Sequence, residues 1–204
     1  MSDLIIIGGG GHAKSVADLA IKNGFNIIGF LDDNETITEM LGLKRLGKIE
    51  DCEKYADSAR FVIGIGNSAV RRRVFDTYKL EYQTLVHPSA VIGTNVVIGN
   101  GTVVMAGAVI NADAKIGKQS IINTSAVVEH DCIVGEFTMV APGSVVCGFS
   151  KIGSNCWLGA GSVVNSVINI CDNTIVGSGG VVVKNIVEPG TYIGVPVRSQ
   201  RDGK

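Results

Sequence analysis

Ile122-Asn123-Thr124-Ser125-Ala126-Val127-Val128-Glu129-His130-Asp131-Cys132-Ile133-Val134-Gly135-Glu136-Phe137-Thr138-Met139-Val140 makes the same choice every six residues. Val or Ile returns at 122, 128, 134 and 140, and a small residue follows each of the first three by four. Followed outward, the pattern runs from Val86 to Val182 as seventeen sixes, each opened by Val, Ile or Leu, with no insertion. The small positions include Ala90, Thr102, Ala108, Ser120, Ala126, Cys132, Thr138, Ser144, Ser150, Cys156 and Ser162, and glycine often follows the aliphatic residue directly, as at Gly99, Gly117 and Gly135. A helix needs apolar residues every 3.6 positions and a half-buried strand every 2, so a period of six fits neither. It fits a hexapeptide-repeat parallel β-helix, in which three sixes make one triangular coil. The aliphatic residue fills the prism, the small residue fits beside it, and glycine is expected to relieve the corner. At about 4.8 Å per coil, nearly six coils give a prism roughly 27 Å long.

The rest of the chain is unlike this. Of the charged residues, 28 lie in 1–85 and 188–204 and only 9 in 86–187, two sets of 102 residues each. Aromatic residues divide 8 against 3, the three being Phe137, Phe149 and Trp157. The excess of Gly (27) and Val over charge and aromatic content therefore belongs to the repeat. A net charge of −1 gives no field to attract nucleic acid or an anionic membrane. No apolar run approaches the roughly 18 residues of a spanning helix, and the first residues show no signal peptide, so a cytoplasmic protein is expected. Five cysteines without a CxxC pair are then reduced thiols and small buried hydrophobes. Three units are expected: 1–84, 85–187, and a loop and tail over 188–204.

The first unit reads as a small Rossmann-like α/β domain. Leu4–Ile7 is a buried strand, and Gly8-Gly9-Gly10-Gly11-His12-Ala13 opens a helix running to about Asn23. Strands follow at 26–31, ending in Asp32-Asp33, and at 61–65, before Gly66-Asn67 and a helix carrying Arg71-Arg72-Arg73. Such sheets bind ligands at the carboxyl ends of their strands, and a helix N-terminus after a glycine-rich turn suits phosphate. Gly8-x-Gly10-x-x-Ala13 with an acid further on matches the dinucleotide fingerprint in name. However, about 85 residues hold only half a dinucleotide fold, so the nucleotide portion of a substrate fits better than a redox cofactor. Asp32 and Asp33 either accept hydrogen bonds from a base or ribose or cap the following turn. The arginine triplet reads as a solvated helix face.

The chain has three histidines. His12 begins the first helix and His87 lies beside Pro88 at the domain junction. His130 follows an inward aliphatic residue by two, which puts it at a corner, facing out. Its neighbours one coil away are Ala112 and Gly148, which leave the imidazole an open notch. Asp131 can orient the ring and raise its basicity. Cys132 occupies an inward position and is discounted as a nucleophile. A metal site needs several histidines at coil spacing, and with only one in mid-solenoid no metal is expected. The interior is filled by its own side chains, so ligands must bind on outer faces or between chains.

Gly8-Gly9-Gly10-Gly11-His12-Ala13, Leu31-Asp32-Asp33, Ile65-Gly66-Asn67, Asn123-Thr124-Ser125, Glu129-His130-Asp131-Cys132 and Pro189-Gly190-Thr191-Tyr192-Ile193-Gly194-Val195-Pro196 together make the whole chain resemble the NeuD/PglD group of bacterial sugar O- and N-acetyltransferases. The resemblance implies a left-handed β-helix, homotrimers, and transfer of acetyl from acetyl-CoA to the 4-amino group of a nucleotide-linked amino-dideoxy sugar, most simply UDP-linked. Carried over by position, His130 is the general base and Asp131 its acidic partner. The substrate contacts are His12, Ala13, Lys14, Asp32, Asp33 and Gly66, and the CoA contacts are Met139, Ala160 and Ser178. Met139 stands where some members have a histidine near the thioester. The CoA phosphates are placed near Lys184, Arg198 or Arg201. The alternatives are O-acetylation of a sialic-acid-type sugar, which the same base would serve, and a non-catalytic β-helical binding protein.

Overall fold

The computed structural model describes residues 3–200. They form two compact units, divided in the chain between Pro88 and Ser89.

In the first unit the sheet has the order β3-β4-β2-β1-β5, with β1 at Asp3–Ile7, β2 at Asn26–Leu31, β3 at Glu39–Met40, β4 at Leu43–Gly47 and β5 at Ala59–Ile63. β1 runs parallel to both β2 and β5, β2 is parallel to β4, and β3 joins β4 as an antiparallel hairpin. Helix α1 (Gly11–Lys22) buries Ala13, Val16, Ala17, Leu19 and Ala20, a stripe at three- and four-residue spacing. Helix α2 (Ser68–Thr77) starts at Asn67, whose Oδ1 accepts from the Val70 N–H at 3.0 Å. β5 stops at Ile63, two residues earlier than the apolar run 61–65 predicts. Gly64 packs against α1 so closely that a Cβ there would lie 2.8 Å from Ala13 Cα, and Ile65 packs half-buried against the core beyond the end of the strand. The β3–β4 hairpin and the 3₁₀ turn Ile49–Tyr55 were not anticipated, because neither has a periodic apolar pattern of its own.

The second unit is a left-handed parallel β-helix. Its two-residue strands pair in parallel with a shift of 18, as in Val109↔Val127, Lys115↔Ile133 and Ile121↔Met139. Three sixes therefore do make one coil. Along the interior, every first-position residue from Val104 to Val182 is buried. Ile92, in the first coil, is exposed because the stack has no earlier coil of its own to cover it.

The corners correct one expectation. Positive φ recurs every sixth residue from Asn95 to Asn173 and Gly179, and Asp131 (58°) and Phe149 (62°) belong to this series. The glycines that directly follow the aliphatic residues lie outside it. They allow the coils to approach each other: a Cβ on Gly99 or Gly117 would run into the backbone of Lys118 or Glu136 in the next coil.

The small positions also do more than fit. Thr102, Ser120, Cys132, Thr138, Ser144, Ser150 and Cys156 each donate to a carbonyl fifteen residues on, among them Ser120 Oγ to Gly135 O at 2.9 Å and Cys132 Sγ to Cys147 O at 3.2 Å. A buried hydroxyl needs such a partner, and a buried carbonyl gains a second donor. One outer face carries Val91, Val109, Val127, Val145, Val163 and Val181 in an unbroken rank. Residues 190–199, expected as loop, form a hairpin whose first strand, Gly190–Gly194, pairs in parallel with Thr174–Val176.

Candidate active site

In the first unit a cleft of about 340 Å³ opens at the carboxyl ends of β1 and β5. His12, Asp32, Asp33 and Gly66, read from three separate places in the sequence, all line it, together with Gly10 and Gly11. Of the other two candidates, Ala13 is buried behind the cleft and Lys14 is exposed outside its lining.

Each lining group has a local reason for its position. Gly8 adopts φ +110°, and a Cβ on Gly9 would meet the Phe30 ring at 2.7 Å, so both are fixed by the protein. Gly10 and Gly11 have open space where a Cβ would be, and neither has a positive φ. Gly10 caps α1 with no side-chain bond, which leaves first-turn N–H groups without a cap at the end of α1 whose Gly11 and His12 line the cleft. The Asp32 carboxylate accepts from Gly9 N–H (2.6 Å) and Asn34 N–H (2.7 Å), and Asp33 accepts from Ile49 N–H (3.0 Å). Both acids therefore serve the turns first. Asp32 ties the glycine loop to the end of β2.

His12 is largely buried, and its Nε2 has no hydrogen-bond partner among the described residues. Burial, helped by the charge of Arg71, lowers its pKa to about 4, so the ring is neutral at ordinary pH. Arg71 overturns the reading of the triplet as a solvated face. It is 1% exposed and donates through Nη1 to the carbonyls of Ile65 and Gly66, both at 2.9 Å. Arg73 is exposed and Arg72 half-buried. The signal was the spacing: Arg71 precedes the buried Val74 by three, which puts both on the inward stripe of α2.

In the second unit His130 stands on a corner of the prism with about half its side chain exposed. Three contacts place its ring. Nδ1 lies 2.9 Å from Asp131 Oδ2, and Phe149 packs edge to face with a centroid distance of 5.1 Å. The edge carrying Cε1 and Nε2 sits over Gly148, where a Cβ would be 2.8 and 2.9 Å away. With Nδ1–H given to Asp131, Nε2 keeps a lone pair that can take a proton. Phe149 was not anticipated. Its N–H donates to the His130 carbonyl at 3.1 Å, one coil on. Glu129 accepts from Asn111 Nδ2 at 2.8 Å, so its carboxylate is held by the preceding coil. Cys132 is fully buried, and burial raises its thiol pKa, which leaves it a poor nucleophile.

The candidate CoA contacts lie elsewhere on the prism. Ala160 and Ser178 are exposed and stacked on one corner, where Gly179 N–H donates to Ala160 O at 2.9 Å. Met139 is half-buried on a face, between Ile121 and Trp157 in adjacent coils. The corner of Ala160 and Ser178 and that of His130 are at opposite edges of the valine-ranked face, so one chain alone does not bring them together. Lys184 lies three coils from His130 in the same corner column, Arg198 is exposed on the terminal hairpin, and Arg201 is outside the described residues. Among the described residues no cluster of His, Cys, Asp or Glu could hold a metal ion, and no helix is long and apolar enough to cross a membrane.

Residues 3–78 match the family model of the PglD N-terminal domain. The acetyltransferase domain of PglB from Neisseria gonorrhoeae FA1090 superposes with a TM-score of 0.93 at 30% identity, covering 98% of this chain and 100% of that one. PerB from Caulobacter crescentus, solved with CoA and GDP-perosamine, superposes with a TM-score of 0.91 at 35% identity, covering 98% of each chain. UDP-N-acetylbacillosamine N-acetyltransferase of Bacillus subtilis (strain 168) is 33% identical over 113 residues, 52% of this chain and 52% of that protein. The chain thus spans about half the length, or less, of the curated relatives it matches. Both units align from end to end with solved acetyltransferases above 30% identity or at it, and the chain belongs to the NeuD/PglD group of sugar acetyltransferases.

Proposed function

We propose that the protein transfers the acetyl group of acetyl-CoA to the 4-amino group of a nucleotide-linked amino-dideoxy sugar, in a ternary complex without an acyl-enzyme. The observation that carries this is the half-exposed His130 imidazole, held at Nδ1 by Asp131 with its Cε1–Nε2 edge in the space that Gly148 leaves. The amine nitrogen forms a bond to the thioester carbonyl carbon and loses a proton to Nε2, and collapse of the tetrahedral adduct breaks the C–S bond. The thiolate leaves and takes up a proton, giving free CoA. Cys132 plays no part.

The cleft takes the nucleotide. The uncapped first-turn N–H groups of α1 and the two glycines with nothing beside them suit a diphosphate, and PerB and the Bacillus relative carry names that specify GDP- and UDP-linked amino sugars. UDP is our first choice for this chain. Met139, Ala160 and Ser178 are assigned to CoA. Because the His130 edge and the Ala160 edge flank the valine rank, we assign that rank to contact between copies in a homotrimer. In this arrangement the base of one copy works beside CoA held by the next.

The test is release of free thiol from acetyl-CoA with UDP-, dTDP- and GDP-linked 4-amino sugars as acceptors. Release with one of them, and a product heavier by one acetyl group, supports the reading. No release with any of the three, from protein that binds CoA, overturns it. Mixing His130→Ala chains with Ala160→Trp chains tests the trimer, since activity returns only if the site is shared between copies.

A further inference from the structure

Arg71 is the largest fully buried side chain among the described residues, and the acetyl transfer itself gives it no part. Charged residues are almost never fully buried without a reason. Desolvation is costly enough here to lower even this guanidinium to about 10. A neutral donor would serve the two carbonyls it bonds, so capping the β5–α2 turn does not by itself require a cation. Those carbonyls belong to Ile65 and Gly66, which both line the cleft. His12, which also lines the cleft, senses the Arg71 charge. The guanidinium therefore sits behind one wall and acts on another, and α1 begins at the same space, with Gly11 and His12 in the lining.

We propose that Arg71 is a positioning residue for the nucleotide: its Nη1 fixes the Ile65–Gly66 wall, and its buried charge biases the cleft toward an anionic diphosphate. This rests on the reading of the cleft as the nucleotide site. The charge is screened little, because water does not reach it. Its field also disfavours a second positive charge on His12, so the imidazole stays neutral, with one nitrogen to donate and one to accept. Both bonds leave from the one planar Nη1, whose two hydrogens are fixed in the guanidinium plane, and a lysine ammonium on its flexible stem does not hold hydrogens in such a plane.

The experiment compares wild type, Arg71→Met and Arg71→Lys by calorimetry with UDP, GDP and CoA, and follows the His12 Cε1 proton by NMR. Assignment is by His12→Gln. In Arg71→Met, binding of the nucleoside diphosphate weakens by about tenfold or more, CoA binding stays within about twofold, and the His12 midpoint moves up. Arg71→Lys keeps part of the charge effect on His12 but still loses affinity. Nucleotide binding by Arg71→Met within about twofold of wild type overturns the proposal. So does a parallel loss of nucleotide and CoA binding with a lowered melting temperature, which marks a purely structural role. If wild type binds neither UDP nor GDP, the nucleotide reading itself fails. The His12 midpoint then decides the Arg71 part alone, and an unchanged midpoint overturns it.

Discussion

The place of the missing side chain at Gly148 is taken by the His130 imidazole: a Cβ there would lie 2.8 Å from Cε1 and 2.9 Å from Nε2. No other atom meets that Cβ within 3.4 Å, and the backbone of Gly148 is outside the left-handed region. Gly148→Ala therefore folds and moves only the ring. We expect a melting temperature close to wild type with a clear fall in kcat. An alanine variant with full activity would mean that the imidazole does not work from the position it occupies.

His130 and Asp131 are separable because Asp131 sits at φ 58°. Asparagine tolerates that conformation as aspartate does, whereas alanine does not. Asp131→Asn thus removes the charge without adding strain, and it should lower kcat while leaving stability alone. His130→Ala should lower kcat by about 10²–10⁴-fold, the range of a general base. Unaltered kcat in His130→Ala, measured by thiol release, removes the base from the mechanism.

Two kinds of glycine in the solenoid should respond differently. A Cβ on Gly135 would lie 2.6 Å from backbone atoms of Gly153 and Ser154 in the next coil, where little can give way. Gly143 has open space but φ +66°. In urea titrations Gly143→Ala should cost about 1–2 kcal/mol, Gly143→Asn less, and Gly135→Ala more than either. If Gly135→Ala melts like wild type, the coils are not in the close contact described.

Thr138 Oγ1 donates to Gly153 O at 2.7 Å, partly buried, and accepts from Cys156 N–H at 3.0 Å, buried. Thr138→Val keeps the shape and removes both bonds, so it should cost about 1–3 kcal/mol. Cys132→Ser keeps a donor at a position where Ser120, Ser144 and Ser150 already work. It should be stable and fully active, and loss of turnover with an intact fold would reopen Cys132 as a reacting group.

The repeat was legible because only residues at 18-residue spacing stack, so Val or Ile at every sixth place fixes coil, register and corner together. The gathering of His12, Asp32, Asp33 and Gly66 into one cleft agrees with the strand order, which puts the loops that carry them at the carboxyl ends of parallel strands, although the set itself came from the family resemblance. What stayed hidden depended on one residue reaching another across coils or turns. The fifteen-residue donor ladder is invisible when Ser, Thr and Cys are read simply as small. Arg71 hides in a basic triplet, where composition suggests solvent and only its spacing from Val74 points inward. Phe149 gave no sign of packing on His130, because 19 residues separate them and the contact needs the corner conformation of both coils.

His12 gives the last prediction, in stability against pH. Its pKa is about 4 in the folded chain against 6.5 for an unperturbed histidine, with burial the main cause and Arg71 second. The unfolded chain therefore binds a proton near pH 6.5 that the folded chain refuses until about pH 4. Between those values the unfolded state holds more protons, so stability falls as pH falls. The gap corresponds to roughly 3 kcal/mol, present in full above pH 6.5 and lost by about pH 4. Carboxylates titrate in the lower part of that range, so the comparison must be a difference. The urea stability of wild type minus that of His12→Gln should shrink as the pH is lowered from 7 to 4.5. A difference that stays flat over that interval would mean the His12 ring is protonated in the folded protein as readily as in water.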